Sequence, residues 1–336
     1  PYVIIDSIGA TVQNRAIWEL TISDDPGSST YKRVYIHART HPGEEESFWV
    51  TDEIINFLLA DTPEAAYIRS HCIFHIVPMY NPDGVELGYP RENANGIDIE
   101  SGWDDAILQP EVAALQNRFI DLSFVIQNPI EVALNMHSSY ICERYFVYHH
   151  EVGTSENFTV LEQDFISGVQ AYYLGGFEDW DYFVSWTSGT PDQYPESWWW
   201  LNYGENVMAL TYEDMNCDLA GNYDLTASAI VQGVCDYIGL NLSDIDTKII
   251  LPDRYVLHQN YPNPFNPSTQ IDYDLPQDGP VKISVLDLTG RELSTIVNEK
   301  QAAGLKSVTW RALNDQGEPL SSGVYICLMR TNNHVS

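Results

Sequence analysis

The tetrapeptide His41-Pro42-Gly43-Glu44 is the strongest indication of architecture in this chain. It places an imidazole and a carboxylate three residues apart, directly after the apolar run at residues 34–38. A third candidate ligand, His137, follows another strand-like run at residues 132–134. Two histidines and one glutamate are the ligand set of a catalytic zinc ion, which keeps its fourth position for water. The sequence therefore predicts one Zn2+ ion held by these three side chains.

Length and charge restrict the class of protein. A chain of 336 residues exceeds one ordinary hydrophobic core, so two domains are expected. The net charge is −32, and residues 1–250 carry −30 of it. Such a surface repels nucleic acids and anionic lipids, and suits cationic substrates, divalent cations or a salty medium, although a merely solubilising surface explains it equally well. No apolar run approaches the roughly 20 residues of a membrane-spanning helix, so neither nucleic acid nor a membrane span is expected.

Residues 1–242 alternate strand-like and helix-like segments. The predicted strands cover residues 16–23, 33–38, 72–78 and 207–212. The predicted helices cover residues 45–59, 111–122 and 226–237. This alternation predicts an α/β fold with a mixed central sheet flanked by helices. Functional sites in such folds lie at the carboxyl ends of strands, so His41, Asn81, His137 and Glu213, which closely follow strand-like runs, are expected to converge there.

The pattern changes after residue 242. Residues 243–250 are a predicted linker. Short alternating strands then follow at residues 281–286, 307–312 and 323–330. With turns between them and no long helical pattern, they predict a small immunoglobulin-like β-sandwich over residues 251–336.

Cysteines and acidic segments add two minor expectations. The five cysteines include no C-x-x-C pair and do not define a disulfide framework. Cys142 and Cys217 lie near predicted site segments, so one bridge between them is an alternative, while buried free thiols are the favoured state. The acidic segments 24–25 and 214–224 are candidate Ca2+ sites, although solvated loops explain them better.

Hydrolysis by a metal-activated water requires further groups beside the ligands. A base must take the proton from the water, and a cation must stabilise the developing oxyanion. Glu213 ends a predicted strand and is the candidate base, which passes the proton on to the leaving amine. Arg91 follows the turn at residues 81–84 on a polar loop and is the candidate oxyanion donor.

Taken together, these motifs resemble the carboxypeptidase A-type zinc metallopeptidases, in the version found in cytosolic carboxypeptidases. The resemblance covers about residues 1–240 and follows the family's order: an opening segment at 8–22, His-Pro-Gly-Glu at 41–44, Asn-Pro-Asp-Gly at 81–84, Arg91, Gly-Ile-Asp-Ile at 96–99, Met-His-Ser-Ser at 136–139 and Thr-Tyr-Glu at 211–213. It implies that His41, Glu44 and His137 bind zinc, that Arg91 polarises the scissile carbonyl, and that Glu213 is the general base.

The sequence departs from this family where an Asn-Arg pair usually grips the C-terminal carboxylate of the substrate. Glu100 and Ser101 stand there instead, and a carboxylate repels a carboxylate. The expected substrate-binding residues are therefore Glu100, Ser101, Arg144 and Tyr182, with Tyr194 as an alternative phenol. The expected substrate is a peptide or peptidoglycan-like molecule that bears Lys, Arg, diaminopimelate or another amine, and polyglutamate tails are disfavoured.

The C-terminal region carries a second resemblance. Asn-Tyr-Pro-Asn-Pro-Phe-Asn-Pro at 260–267, Val-Leu-Asp-Leu-Thr-Gly-Arg at 285–291 and Gly-Val-Tyr at 323–325 resemble the sorting domain of type IX secretion cargo. This implies export by the type IX machinery to the surface or medium of a Gram-negative bacterium. The expected protein is then a secreted zinc peptidase. The alternative is a surface-displayed binding or structural protein, such as a filament or surface-layer subunit, on an inactive peptidase scaffold.

Overall fold

The computed structural model of the chain describes residues 2–124, 129–240, 242, 254–260, 263–265, 267–301 and 303–331. The chain divides into two compact units, Pro1–Ile245 and Asp246–Ser336. The predicted linker at residues 243–250 lies outside the described residues. Among the described helices, none has the length and apolar character needed to cross a bilayer.

One eight-stranded sheet forms the centre of the first unit. Its strands are β1 (Val3–Ala10), β2 (Ala16–Ile22), β3 (Lys32–Ala38), β4 (Cys72–Val77), β5 (Val132–Ser139), β6 (Tyr145–His149), β7 (Phe183–Ser185) and β8 (Met208–Met215). They lie in the order β1-β2-β4-β3-β5-β8-β6-β7. The neighbours from β4 to β8 run parallel, while β1, β2 and β6 introduce antiparallel pairs. The predicted mixed sheet is thereby confirmed.

Helices cover both faces of this sheet. They are α1 (Glu45–Leu59), α2 (Pro63–Arg69), α3 (Pro82–Leu87), α4 (Pro110–Phe124), α5 (Glu156–Tyr172), α6 (Pro195–Tyr203) and α7 (Tyr223–Tyr237), with a short 3-10 helix at Gly204–Asn206. Side chains alternate between the faces of a strand, so Val34 of β3 packs in the core with α1 and α7, while Tyr35 packs against Phe119 of α4. Burial on both faces explains why the central strands β3, β4 and β5 are mostly apolar on both faces, with only a few buried polar side chains such as His37 and His75.

One predicted turn is the beginning of a helix. Asn81-Pro82-Asp83-Gly84 reads as a turn, but it opens α3, since the Asn81 side chain accepts a hydrogen bond from the Gly84 backbone N–H at 3.0 Å. Proline at the first helical position is compatible with this cap because no intrahelical donor is lost there. The helix ends at Gly88, whose φ of 68° is accessible to glycine at little cost.

In the described residues of the second unit, the regular elements are all β-strands. Its strands are β9 (Val256–Leu257), β10 (Thr269–Leu275), β11 (Gly279–Leu286), β12 (Glu292–Gln301), β13 (Gly304–Trp310) and β14 (Ile326–Thr331). They form two three-stranded sheets, ordered β13-β10-β9 and β12-β11-β14. Tyr273 of one sheet shares a buried core with Ile283 and Met329 of the other. The predicted separate β domain at the C-terminal end is confirmed.

Candidate active site

The three predicted ligands meet at one edge of the sheet. His41 and Glu44 lie in the connection between β3 and α1, and His137 lies near the end of β5, the parallel neighbour of β3. His41 Nδ1 is 2.7 Å from Glu44 Oε1. His137 Nδ1 is 2.8 Å from Glu44 Oε2 and 3.1 Å from His41 Nδ1. All three side chains are buried, and their ligand atoms point at one another.

This arrangement fits a single shared cation. Tetrahedral ligands about 2.0–2.1 Å from a zinc ion lie roughly 3.3 Å from one another, and the three atoms approach that spacing. Two imidazole nitrogens and one carboxylate oxygen are a donor set that binds zinc in preference to calcium or magnesium, which favour oxygen ligands. Within the described residues, no other group of three or more His, Cys, Asp or Glu side chains comes together in this way. The Ca2+ sites proposed at 24–25 and 214–224 stay predictions.

Each ligand histidine places its outer ring nitrogen against a carboxylate. His41 Nε2 lies 3.1 Å from Asp98 Oδ1, and His137 Nε2 lies 3.1 Å from Glu100 Oε2. A hydrogen bond donated from Nε2 selects the tautomer that leaves Nδ1 free for a metal. Asp98 belongs to the Gly-Ile-Asp-Ile motif, but this role could not be predicted from sequence because its partner His41 lies 57 residues away.

The groups around Glu44 stabilise its negatively charged carboxylate form. Burial by itself would raise the pKa of this carboxyl group, but the neighbouring His137 and His41 hold that pKa well below its ordinary value. The backbone N–H of Ser138 also donates to Glu44 Oε2 at 3.1 Å. Glu44 is therefore an anion, as a metal ligand must be.

Glu213 lies beside the three ligands on the neighbouring strand. It stands opposite His137 in the parallel pairing of β5 with β8. Its Oε2 is buried and has no hydrogen-bond partner among the described residues. Burial raises the pKa of Glu213 to about 7, with His137 opposing and Glu44 adding to that shift. A buried acceptor that titrates near neutral pH suits a general base.

Arg91 lies next to the ligand cluster and contacts Asp98 and Glu44. Its Nη2 and Nε lie 3.1 and 3.3 Å from Asp98 Oδ2, and its Nη1 lies 3.6 Å from Glu44 Oε1. About half of the side chain, 51%, is exposed, so the guanidinium can reach a bound molecule without first leaving a buried site. Its predicted part as oxyanion donor stays a prediction.

The structure does not support two of the predicted substrate-binding residues. Arg144 is buried, its Nε donates to Asp214 Oδ1 at 2.8 Å, and its Nη2 donates to the Gly221 carbonyl, so it is not free to replace the lost arginine. Glu100 turns inward, where both its oxygens accept from Asn135 Nδ2 at 3.0 and 3.1 Å. Its carboxylate therefore faces the protein and not a substrate carboxylate.

The remaining two candidates stay predictions. The Ser101 hydroxyl donates to the Asp98 carbonyl at 3.4 Å. Tyr182 is 43% exposed, and its ring packs 5.1 Å from that of Tyr145. Tyr145 stands opposite Glu213 in the antiparallel pairing of β6 with β8, so a tyrosine that was not predicted from sequence lies beside the candidate base.

Comparison with known proteins decides the family. The zinc carboxypeptidase family matches residues 2–226, which include every residue of the site. The chain belongs to this zinc carboxypeptidase family. A second match, to the FlgD Ig-like domain, covers residues 266–333. The narrower resemblance to type IX sorting domains stays a prediction.

Individual relatives give the same result over shorter stretches. Cytosolic carboxypeptidase 6 of Mus musculus is 31% identical over 162 residues, which is 47% of this chain and 30% of the relative. Human cytosolic carboxypeptidase 4 is 37% identical over 97 residues, 28% of this chain and 9% of the relative. The matched part thus spans less than a third of these relatives.

Solved structures share the fold. The metallo-carboxypeptidase from Burkholderia cenocepacia superimposes with a TM-score of 0.60 at 21% identity, over 71% of this chain and 65% of that one. The metallo-carboxypeptidase from Pseudomonas aeruginosa gives 0.57 at 21% identity, over 72% and 65%. These likenesses confirm the carboxypeptidase-like architecture of the first unit.

In this zinc carboxypeptidase domain, a disulfide links two segments that follow site strands. Cys142, after β5, is bonded to Cys217, after β8, with their Cα atoms 5.7 Å apart. The favoured expectation of free thiols was wrong for this pair, because two loops 75 residues apart in sequence leave neighbouring parallel strands at the same edge. Cys72 and Cys235 are free and buried.

Removing this bridge should lower stability markedly. The double variant Cys142→Ser/Cys217→Ser frees a 75-residue loop in the unfolded state, for which the chain-entropy account gives about 4 kcal/mol. The melting temperature should fall by about 10 °C in a thermal unfolding scan. The native protein in reductant should melt like the variant. A variant that melts within 2 °C of the oxidised native protein would contradict the estimate, which allows about 2–4 °C per kcal/mol.

Proposed function

We propose that this protein is a zinc-dependent peptidase that hydrolyses peptide or amide bonds. The observation that carries the proposal is the convergence of His41, Glu44 and His137 beside the buried Oε2 of Glu213, which has no hydrogen-bond partner in the part of the chain that the structure describes. When bound there, zinc supplies a Lewis acid that activates water and polarises a carbonyl group. Membership of the zinc carboxypeptidase family supports the same chemistry.

Each residue of the chain has a distinct task in this proposal. Glu213 accepts a proton from the attacking water and delivers it to the nitrogen of the leaving amine. The Arg91 guanidinium donates hydrogen bonds to the oxygen of the scissile carbonyl as negative charge develops on it. Asp98 holds both the His41 ring and Arg91, so it couples the orientation of a ligand to that of the oxyanion donor.

The proposed substrates bear an amine and do not depend on a free C-terminal carboxylate. Residue 101 is a serine, and Arg144 is bound to Asp214, so neither position offers a cation to such a carboxylate. Residues 1–250 carry −30 of the net charge, which favours cationic molecules in solution. Peptides that contain Lys, Arg or diaminopimelate, including peptidoglycan stems, fit this description.

A peptide panel tests the activity and the preference together. We expect the zinc-loaded full chain to cleave lysine-containing peptides roughly tenfold faster, in kcat/KM, than matched peptides with glutamate at the same position, since electrostatic complementarity raises encounter rates. Amidation of the C-terminus should change the rate little. Alanine at the same position is the neutral reference. If a zinc-loaded, folded preparation cleaves no member of the panel, the peptidase proposal is wrong.

Secretion and the alternative function complete the proposal. We propose that residues 251–336 direct the protein through the type IX machinery to the cell surface or medium of a Gram-negative bacterium. Deleting these residues in a host with that machinery should retain the protein inside the cell.

The alternative, a binding or structural protein on an inactive scaffold, rests on the substitutions at residues 100 and 101. It would gain support if the protein binds zinc yet cleaves nothing.

A further inference from the structure

Glu100 occupies an unusual place for a residue at a substrate-binding position. Its Oε2 lies 3.1 Å from His137 Nε2, the ring nitrogen remote from the ligand cluster. Only 15% of the side chain is exposed, so the carboxylate is largely removed from solvent. The carboxylate is thus built into the wall of the site.

Asn135 fixes this carboxylate from the same strand that carries His137. Residues 135 and 137 lie on one face of β5, because side chains alternate along a strand. Asn135 Nδ2 donates to both oxygens of Glu100, at 3.0 and 3.1 Å, and to Glu196 Oε1 at 3.0 Å. An amide NH2 has two hydrogens, so one spans the Glu100 carboxylate and the other reaches Glu196. Every donor of Asn135 is therefore used.

Glu196 is the second carboxylate that accepts a hydrogen bond from Asn135. It is buried, and its Oε1 also accepts a hydrogen bond from Thr211 Oγ1 at 2.8 Å. Thr211 stands opposite Asn135 in the pairing of β5 with β8. Two strands and the first turn of α6 thus hold Glu100 in one position. Hydrogen bonds from several elements support the Glu100 carboxylate, and such support is what orients a metal ligand.

We propose that Glu100 is a positioning residue for His137, which holds the ring in the tautomer that presents Nδ1 to zinc. At residue 100, the family resemblance implies a residue that binds the C-terminal carboxylate of the substrate. This chain instead has a second carboxylate–histidine pair there, like that of Asp98 with His41. Glu100 thus supports a ligand histidine from one of the two positions where the family usually binds the substrate carboxylate. This inference rests on the proposed zinc function, and it explains why the substitution is compatible with an intact ligand set.

The variant Glu100→Gln tests the proposal with little change in volume. A glutamine has one acceptor oxygen, so its NH2 group must face either Asn135 Nδ2 or His137 Nε2–H, and both are donors. We expect the dissociation constant for zinc, measured by competition with a chromogenic chelator, to rise about 10- to 100-fold. The matched control is Glu162→Gln. Glu162 is likewise buried and accepts from His149 Nδ1 at 2.7 Å, but it lies outside the ligand cluster, and its variant should bind zinc like the native chain.

A measurement on the native protein covers the case in which the variant does not fold. In the zinc-loaded full chain, the histidine side-chain ¹⁵N spectrum should show His137 with Nε2 protonated and Nδ1 coordinated. Glu100→Gln with native zinc affinity, or a His137 ring protonated at Nδ1, would overturn the proposal while leaving the peptidase function intact. A native chain that binds no zinc would overturn both.

Discussion

Replacing His137 with alanine should leave the protein without zinc and lower kcat/KM by about a thousandfold or more. His137 Nδ1 lies within 3.1 Å of both other ligand atoms, so its loss leaves two ligands where the proposed centre has three. Lewis-acid stabilisation of a transition state is worth several kcal/mol, and each factor of ten in rate corresponds to about 1.4 kcal/mol. Bound zinc per chain, measured by elemental analysis after dialysis, should fall from one equivalent to a trace.

The control must separate loss of a ligand from loss of a buried ion pair. His149 is as buried as His137 and faces a carboxylate at 2.7 Å, against 2.8 Å for His137 and Glu44. His149→Ala should retain one equivalent of zinc. Circular dichroism on both variants checks that the fold persists. Full zinc occupancy in His137→Ala would show that the metal is held elsewhere, and the assignment of the triad would fail.

The convergence of His41, Glu44, His137 and Glu213 could be predicted from sequence because it depends on local pattern. His41, His137 and Glu213 each lie in or close after an apolar strand, and parallel neighbours end at the same edge of a sheet. The alternation of strand-like and helix-like segments was enough to predict the sheet that brings these residues together. The pattern that predicts an element therefore also predicts which ends of elements meet.

The supporting residues could not be predicted in the same way. Glu100 reads as a substrate-binding residue because its neighbours in sequence suggest a clamp, whereas its partners His137 and Asn135 lie 37 and 35 residues away. Arg144 reads as a free cation, but its buried partner Asp214 lies in β8, 70 residues away in sequence. A polar side chain has many possible partners, and only tertiary packing selects one of them. One signal was available: Asn135 lies two residues before His137, on the same face of β5.

Replacing Glu213 with glutamine should lower kcat by roughly 100- to 10,000-fold while leaving bound zinc at one equivalent, since general acid–base groups contribute that factor. Glutamine keeps the shape of the side chain but cannot accept and return a proton. KM should change little, because Glu213 acts on protons and not on binding. Glu131→Gln is the control, since Glu131 directly precedes β5, the neighbour of the strand that carries Glu213, and pairs with Lys32 at 2.9 Å. A kcat within threefold of the native value would remove Glu213 from the mechanism.

The pH profile gives an independent test of the same residue. Burial raises the pKa of Glu213 from 4.5 to about 7, and the base works only when it is deprotonated. The rate should therefore fall as pH decreases through this pKa. The positive charge of bound zinc lowers the pKa of an adjacent carboxyl group, so the midpoint should lie between 4.5 and about 7. In Glu213→Gln this acidic limb should disappear from the residual activity. If the limb persists unchanged in the variant, another group titrates there, and the proton transfer belongs to that group.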